Sequence, residues 1–111
     1  MLSNEGKNNL EMLKKLANKT WGTNLKIIKT TIRDAPFDTF VFNMLIYEQY
    51  EVLLEYEKGT FSTSIKINGK FVFLDQLTDK NVVYGFDSLI PENITLNFNT
   101  LDETLKVING T

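Results

Sequence analysis

The sequence predicts an α+β fold: an N-terminal helix packed on an antiparallel β-sheet, a meander of about five to six strands, with a short C-terminal helix. Three observations predict it. Residues 6–20 place apolar side chains at helical spacing. Residues 50–74 read as strands with turn signals at Lys58-Gly59 and Asn68-Gly69. Thr100-Leu101-Asp102-Glu103 has the form of a capping box. At 111 residues, with no linker, repeat or low-complexity segment, the chain reads as one globular domain, 1–111. That length buries about two thirds of the unfolded surface.

Each element has its own warrant. In residues 6–20, Leu10, Met12, Leu13, Leu16 and Ala17 form a broad apolar face, with Lys7, Lys14, Lys15 and Lys19 elsewhere. Gly22 stands where a C-terminal cap belongs, and Trp21 is expected to pack at the helix end. Residues 25–32 are β-branched and threonine-rich, which favours a strand. Asp34-Ala35-Pro36 then interrupts the chain. From there two patterns overlap. Phe37, Phe40, Val41, Met44 and Leu45 fit a helix with Asp34 as N-cap and Pro36 in its first turn; Phe40, Phe42, Met44 and Ile46 alternate as a strand does. The aromatic and β-branched content favours the strand.

Residues 50–57, 61–67 and 70–74 form the meander. With Lys58-Gly59 as its loop, Tyr56 faces Phe61, Leu54 faces Thr63, Val52 faces Ile65 and Tyr50 faces Ile67. A slip of one residue would set Leu54 and Val52 against serines, so the apolar pattern selects this register. Tyr50 and Tyr56 therefore belong to the core. The opposite face carries Glu51 by Lys66, Leu53 by Ser64 and Glu55 by Ser62, and the Asn68-Gly69 turn adds Phe71 and Phe73. A Leu53–Phe73 row in that setting is either covered by a helix or exposed as the apolar centre of a binding patch. Further on, residues 82–86 and 94–98 look like short strands separated by a turn at 90–93. A short helix from the Thr100 cap to about Ile108 follows, ended by Asn109-Gly110.

Composition excludes more than it assigns. The chain has no Cys and no His. It can form no disulfide, thiolate zinc site, thiol nucleophile or Ser-His-Asp triad. The glycines form no phosphate-binding loop. Glu51, Glu55 and Glu57 share one strand face, with neighbours about 7 Å apart, a spacing that could hold paired carboxylates or a hard cation. No second cluster completes such a site, so no cofactor and no metal is expected. The net charge of −2 is split: residues 1–33 carry seven bases and two acids, residues 34–111 five bases and twelve acids. The split implies two oppositely charged faces or internal compensation. The bases of the first third are spread over a helix and a strand with a single Arg, which gives no footprint for nucleic acid. No apolar run is long enough to span a bilayer, and the first residues lack the apolar core of a secretory signal; a cytoplasmic protein is expected.

Residues 34–57, DAPFDTFVFNMLIYEQYEVLLEYE, hold six acids, six aromatics and no base. Acids of this kind steer a basic partner, and aromatics supply contact energy. The candidate partner-binding residues are Tyr47, Glu48, Glu51, Leu53, Glu55 and Glu57. Small, acidic, cysteine-free α+β domains carrying a meander such as YEVLLEYEKGTFSTSIKINGKFVFL resemble bacterial immunity proteins, including those of contact-dependent growth inhibition systems. The resemblance implies a non-enzymatic protein, monomeric when free, that binds and neutralises a cognate basic toxin, often a nuclease. It assigns no role to any single residue. Two other classes stay open: a small carboxylate- or metal-dependent enzyme, and a structural module that associates with itself through the Leu53–Phe73 row.

Overall fold

The computed structural model describes residues 4–33, 39–57, 60–83 and 88–110. In chain order the elements are helix α1 (Asn4–Trp21), strands β1 (Leu25–Arg33), β2 (Thr39–Ile46), β3 (Tyr50–Glu57), β4 (Thr60–Ile67) and β5 (Lys70–Phe73), and helix α2 (Pro91–Gly110). The five strands form one antiparallel sheet in the order of the sequence. The α+β expectation holds, with five strands. The segment left open between helix and strand is a strand, β2, and it buries alternate residues along its whole length. The helical alternative fails because β2 lies between β1 and β3, where Phe40, Phe42, Met44 and Ile46 all reach the core. The Asp34 cap and Pro36 fall outside the described residues.

Both helices lie on one face of the sheet, and the core is the layer between. In α1 the buried residues Leu10, Leu13, Ala17 and Trp21 follow helical spacing, and Gly22 ends the helix at φ +54. From β2 to β4 the core takes every second residue: Phe40 to Ile46, Tyr50 to Tyr56, then Phe61 and Ile65. Phe40 stacks on Tyr56 with ring centroids 4.4 Å apart. The hydroxyl of Tyr56 accepts a hydrogen bond from Asn9 Nδ2 at 3.1 Å, which ties α1 to β3. The hairpin register matches the sequence argument, with Tyr56 opposite Phe61, Leu54 opposite Thr63 and Val52 opposite Ile65. Asn68 and Gly69 both take positive φ, as a tight two-residue hairpin turn demands.

The C-terminal third departs from expectation. Residues 94–98 are not a strand, and Thr100 does not start a helix; both lie inside the 20-residue α2. Pro91 opens that helix, where its missing N–H costs nothing, and the N–H of Ile94 donates to Ile90 O at 3.0 Å. Ile94, Leu96 and Phe98 alternate as a strand would. Ile94, Phe98, Leu101 and Leu105 also repeat at helical spacing, and that second pattern is the one buried, leaving Leu96 exposed. Thr100 is buried in mid-helix, and its carbonyl accepts from the Thr104 hydroxyl at 2.8 Å. Val82 and Val83 pair with no strand; residues 84–86 of that expected strand fall outside the described residues. Instead the buried Asn97 amide clamps the Val83 backbone, accepting from its N–H at 3.0 Å and donating to its carbonyl at 3.1 Å.

Candidate functional site

With both helices on one side, the other face of the sheet has no layer over it among the described residues. Its side chains follow from the antiparallel registers, since directly opposed residues point the same way. One row across the sheet runs Lys26, Leu45, Glu51, and then Lys66 opposite Phe71. The next runs Lys29, Asn43, Leu53, Ser64, Phe73. The third runs Thr31, Val41, Glu55, Ser62, and the last runs Arg33, Thr39, Glu57, Thr60.

In the Leu53–Phe73 row Phe73 is 49% exposed and Leu53 half-buried, and Phe71 in the adjoining row is 40% exposed; among the described residues no helix covers them. Ser64, placed between Leu53 and Phe73 by the register, is buried. The apolar surface at the centre of the face is therefore Leu53 on one side of this serine and Phe73, with Phe71 beside it, on the other.

The acids do not act as one group. Glu51 Oε2 lies 3.3 Å from Lys66 Nζ, and the same ammonium sits 6.0 Å from the centre of the Phe71 ring. One end of the face is thereby neutralised, and Lys26 and Lys29 on β1 add positive charge beside it. Glu55 and Glu57 are exposed, and among the described residues no Lys or Arg pairs with them. The face therefore runs from basic or compensated at the Lys26–Lys66 end, past Leu53 and Phe73, to the exposed carboxylates Glu55 and Glu57, the latter in the same row as Arg33. Beside Glu55 is a concavity of about 750 Å³ whose lining includes Thr31, Val41, Leu53, Thr60 and Ser62. Among the described residues no group of three or more acids gathers as a cation site would require.

Tyr47 and Glu48 stand apart from this group. They lie in the β2–β3 connection, roughly 20 Å or more from Glu57 at the rise of a β-strand. Both have φ +57, a left-handed conformation that costs a non-glycine residue about 1 kcal/mol or more. Tyr47 is held there from inside the molecule. Its N–H donates to Asn24 O at 2.8 Å, and its hydroxyl donates to Asp102 Oδ1 at 2.5 Å. Trp21 Nε1 donates to the same oxygen at 3.0 Å, and Lys106 Nζ lies 3.1 Å from the other one. One carboxylate on α2 thus fastens the end of α1 and the β2–β3 turn. Burial pushes the Asp102 carboxyl up, but hydrogen bonds from Tyr47, Lys106 and Trp21, with the Lys106 charge, outweigh it and hold the carboxyl below its usual range. The Tyr47 hydroxyl is pushed up to about 12, by the hydrogen bond to Asp102 first, then by burial and the carboxylate charge. Tyr47 is thus committed to the fold, while Glu48 projects into solvent. No signal in the sequence finds Asp102 as the acceptor, because its partners Tyr47 and Trp21 lie 55 and 81 residues away.

The chain matches no protein-family model, no curated protein and no solved structure. Among the described residues no helix is long and apolar enough to cross a membrane.

Proposed function

We propose that this is a non-enzymatic immunity protein that binds and neutralises a cognate basic toxin, with a nuclease as the leading case, through the open sheet face. The observation that carries the reading is the combination on that face of exposed Phe71 and Phe73 and half-buried Leu53 with exposed carboxylates at Glu55 and Glu57. A nuclease presents a cationic cleft to its substrate. Apolar surface with carboxylates at one end offers such a cleft contact area and charge together. The binding surface is Leu53, Glu55 and Glu57 with Phe71 and Phe73. Glu51 contributes less because Lys66 already compensates it, and Glu48 lies at the far end of the strands. On this reading the protein acts in the cytoplasm, binds neither nucleic acid nor membrane, and is monomeric until it meets the toxin.

The test pairs the protein with the toxin encoded beside its gene. The double variant Glu55→Lys/Glu57→Lys should fold normally, since both side chains are exposed. It should lose affinity by about 10²-fold or more, mainly through the association rate. Undiminished protection by that variant overturns the reading. The exposed Phe71 and Phe73 also favour a second one, association of the chain with itself; sedimentation at micromolar concentration separates the two.

A further inference from the structure

The sheet ends in two edge strands, and they differ. β1 carries Lys26, Lys29 and Arg33 at its open-face positions, and its pairing with β2 shifts between Ile27 and Lys29. Edge cations and a bulge guard against a further strand, and two copies of β1 side by side would set cation against cation. β5 has no bulge, and its open-face positions hold Phe71 and Phe73, both exposed. Its backbone is free as well. Asn68-Gly69 is a two-residue loop, so Ile67 and Lys70 at its ends exchange hydrogen bonds, as do Ile65 and Val72. Phe71 and Phe73 therefore turn their N–H and C=O groups away from β4. β5 pairs with no other strand, and among the described residues nothing bonds to these groups. Past the end of β5 the same side of β4 is taken, since the N–H of Phe61 donates to Ser88 Oγ at 3.3 Å.

We infer that the β5 edge pairs with the same edge of a second copy of this chain, antiparallel about a two-fold axis through Val72, and joins the two sheets into one. The free groups select this register. With Val72 opposite Val72, Phe71 of each copy faces Phe73 of the other, and each such pair exchanges two hydrogen bonds. With Phe71 or Phe73 on the axis, only that residue finds a strand partner, and half of these bonds are lost. The contact is self-complementary, as a two-fold interface must be. The four rings gather on the open face, and the half-buried Val72 meets its copy on the opposite side. The charges agree: Lys66 stays with its own Glu51, and Lys70 comes beside the Leu74–Asp75 turn of the other copy. So short a strand makes a small, transient interface, below about 1,200 Å² in total. The monomer predominates at low concentration, and pairing excludes a toxin bound over Phe71 and Phe73. The inference rests on the self-association reading above and gives it an interface.

Sedimentation equilibrium of the full chain between about 5 and 500 µM should show a reversible monomer–dimer equilibrium. Phe71→Glu and Phe73→Lys, each an exposed change that leaves the core intact, should each weaken it at least tenfold. Mixing these two variants should restore pairing, because the register sets position 71 against position 73 of the other copy. A mixture of Phe71→Glu with Phe71→Lys should stay monomeric. Mixed labelled and unlabelled protein should show contacts between Phe71 of one copy and Phe73 of the other by isotope-filtered NMR. The failures are distinguishable. A dimer indifferent to both single variants keeps self-association and removes the β5 contact. Pairing of Phe71→Glu with Phe71→Lys in place of Phe73→Lys overturns the register. A monomer at every concentration removes the contact and the self-association reading together.

Discussion

Along β3 the inward residues Tyr50, Val52, Leu54 and Tyr56 are all buried, while their neighbours Glu51, Leu53, Glu55 and Glu57 are partly or fully open to water. The two sets share one backbone and alternate residue by residue. The inner set meets two helices and is fixed by shape. The outer set meets no helix, and its pattern is one of charge: compensated at Glu51, apolar at Leu53, acidic at Glu55 and Glu57. The difference separates what the fold requires from what it leaves free for recognition, and it can be attacked from either side.

The largest effect is expected inside. Phe98 packs on Trp21 at 5.2 Å and on Phe61 at 6.2 Å between ring centroids, joining both helices to the sheet. Phe98→Ala should cost about 3–5 kcal/mol in urea unfolding. Phe73→Ala, on the open face, should cost about 1 kcal/mol or less. Equal costs would mean that the outer strip is structural after all. Next comes Tyr47→Phe, which removes a hydrogen bond to a charged acceptor and should lower stability by about 1–2 kcal/mol.

The same contact sets a pH dependence at both ends of the scale. The Asp102 carboxyl titrates lower in the folded protein than in the unfolded chain. Its contribution is present above the unfolded value near pH 4 and is lost as pH falls through the depressed folded one. Tyr47 titrates higher when folded, at about 12. Its contribution is complete below the unfolded value near 10 and lost as pH rises through 12. Urea midpoints measured at both extremes should flatten in Tyr47→Phe.

Smaller still is Glu51→Gln. It breaks an exposed ion pair with Lys66 and should change stability by about 0.5 kcal/mol or less. The smallest effect belongs to Tyr50→Phe. The Tyr50 hydroxyl is buried and meets no hydrogen-bond partner among the described residues. Its removal should leave the unfolding midpoint unchanged or slightly raised; a clear loss would show the hydroxyl to be bonded.

How much of this was legible in the sequence depends on the range of the interaction. The β3–β4 register could be read because each step is local: turn residues tolerant of positive φ and a period-two pattern that only one alignment satisfies. The long α2 was hidden because Ile94 and Phe98 fit both periods, while Leu96 fits only the strand. Only docking on Trp21 and Phe61 decides between them, and those contacts lie 77 and 37 residues away. The bond from Tyr47 to Asp102 was hidden for the same reason. An exposed-looking tyrosine in an acidic turn gives no hint that a carboxylate 55 residues on will capture it. The outer face was read more nearly. Its residues were placed correctly, but the sequence could not show that the strip is uncovered, nor that its far end is basic.

The position of α2 after the strands has a consequence for synthesis. All five strands are joined to their sequence neighbours, so the sheet can assemble by short-range hairpin closure as the chain emerges. The helix that packs on Phe61 and completes the cover over the core is made after the sheet. Until residues 91–110 have left the ribosome, a nascent sheet would expose much of the side that later becomes its interior. That interval, rather than the finished molecule, is when the chain is most exposed to aggregation and most in need of chaperone protection.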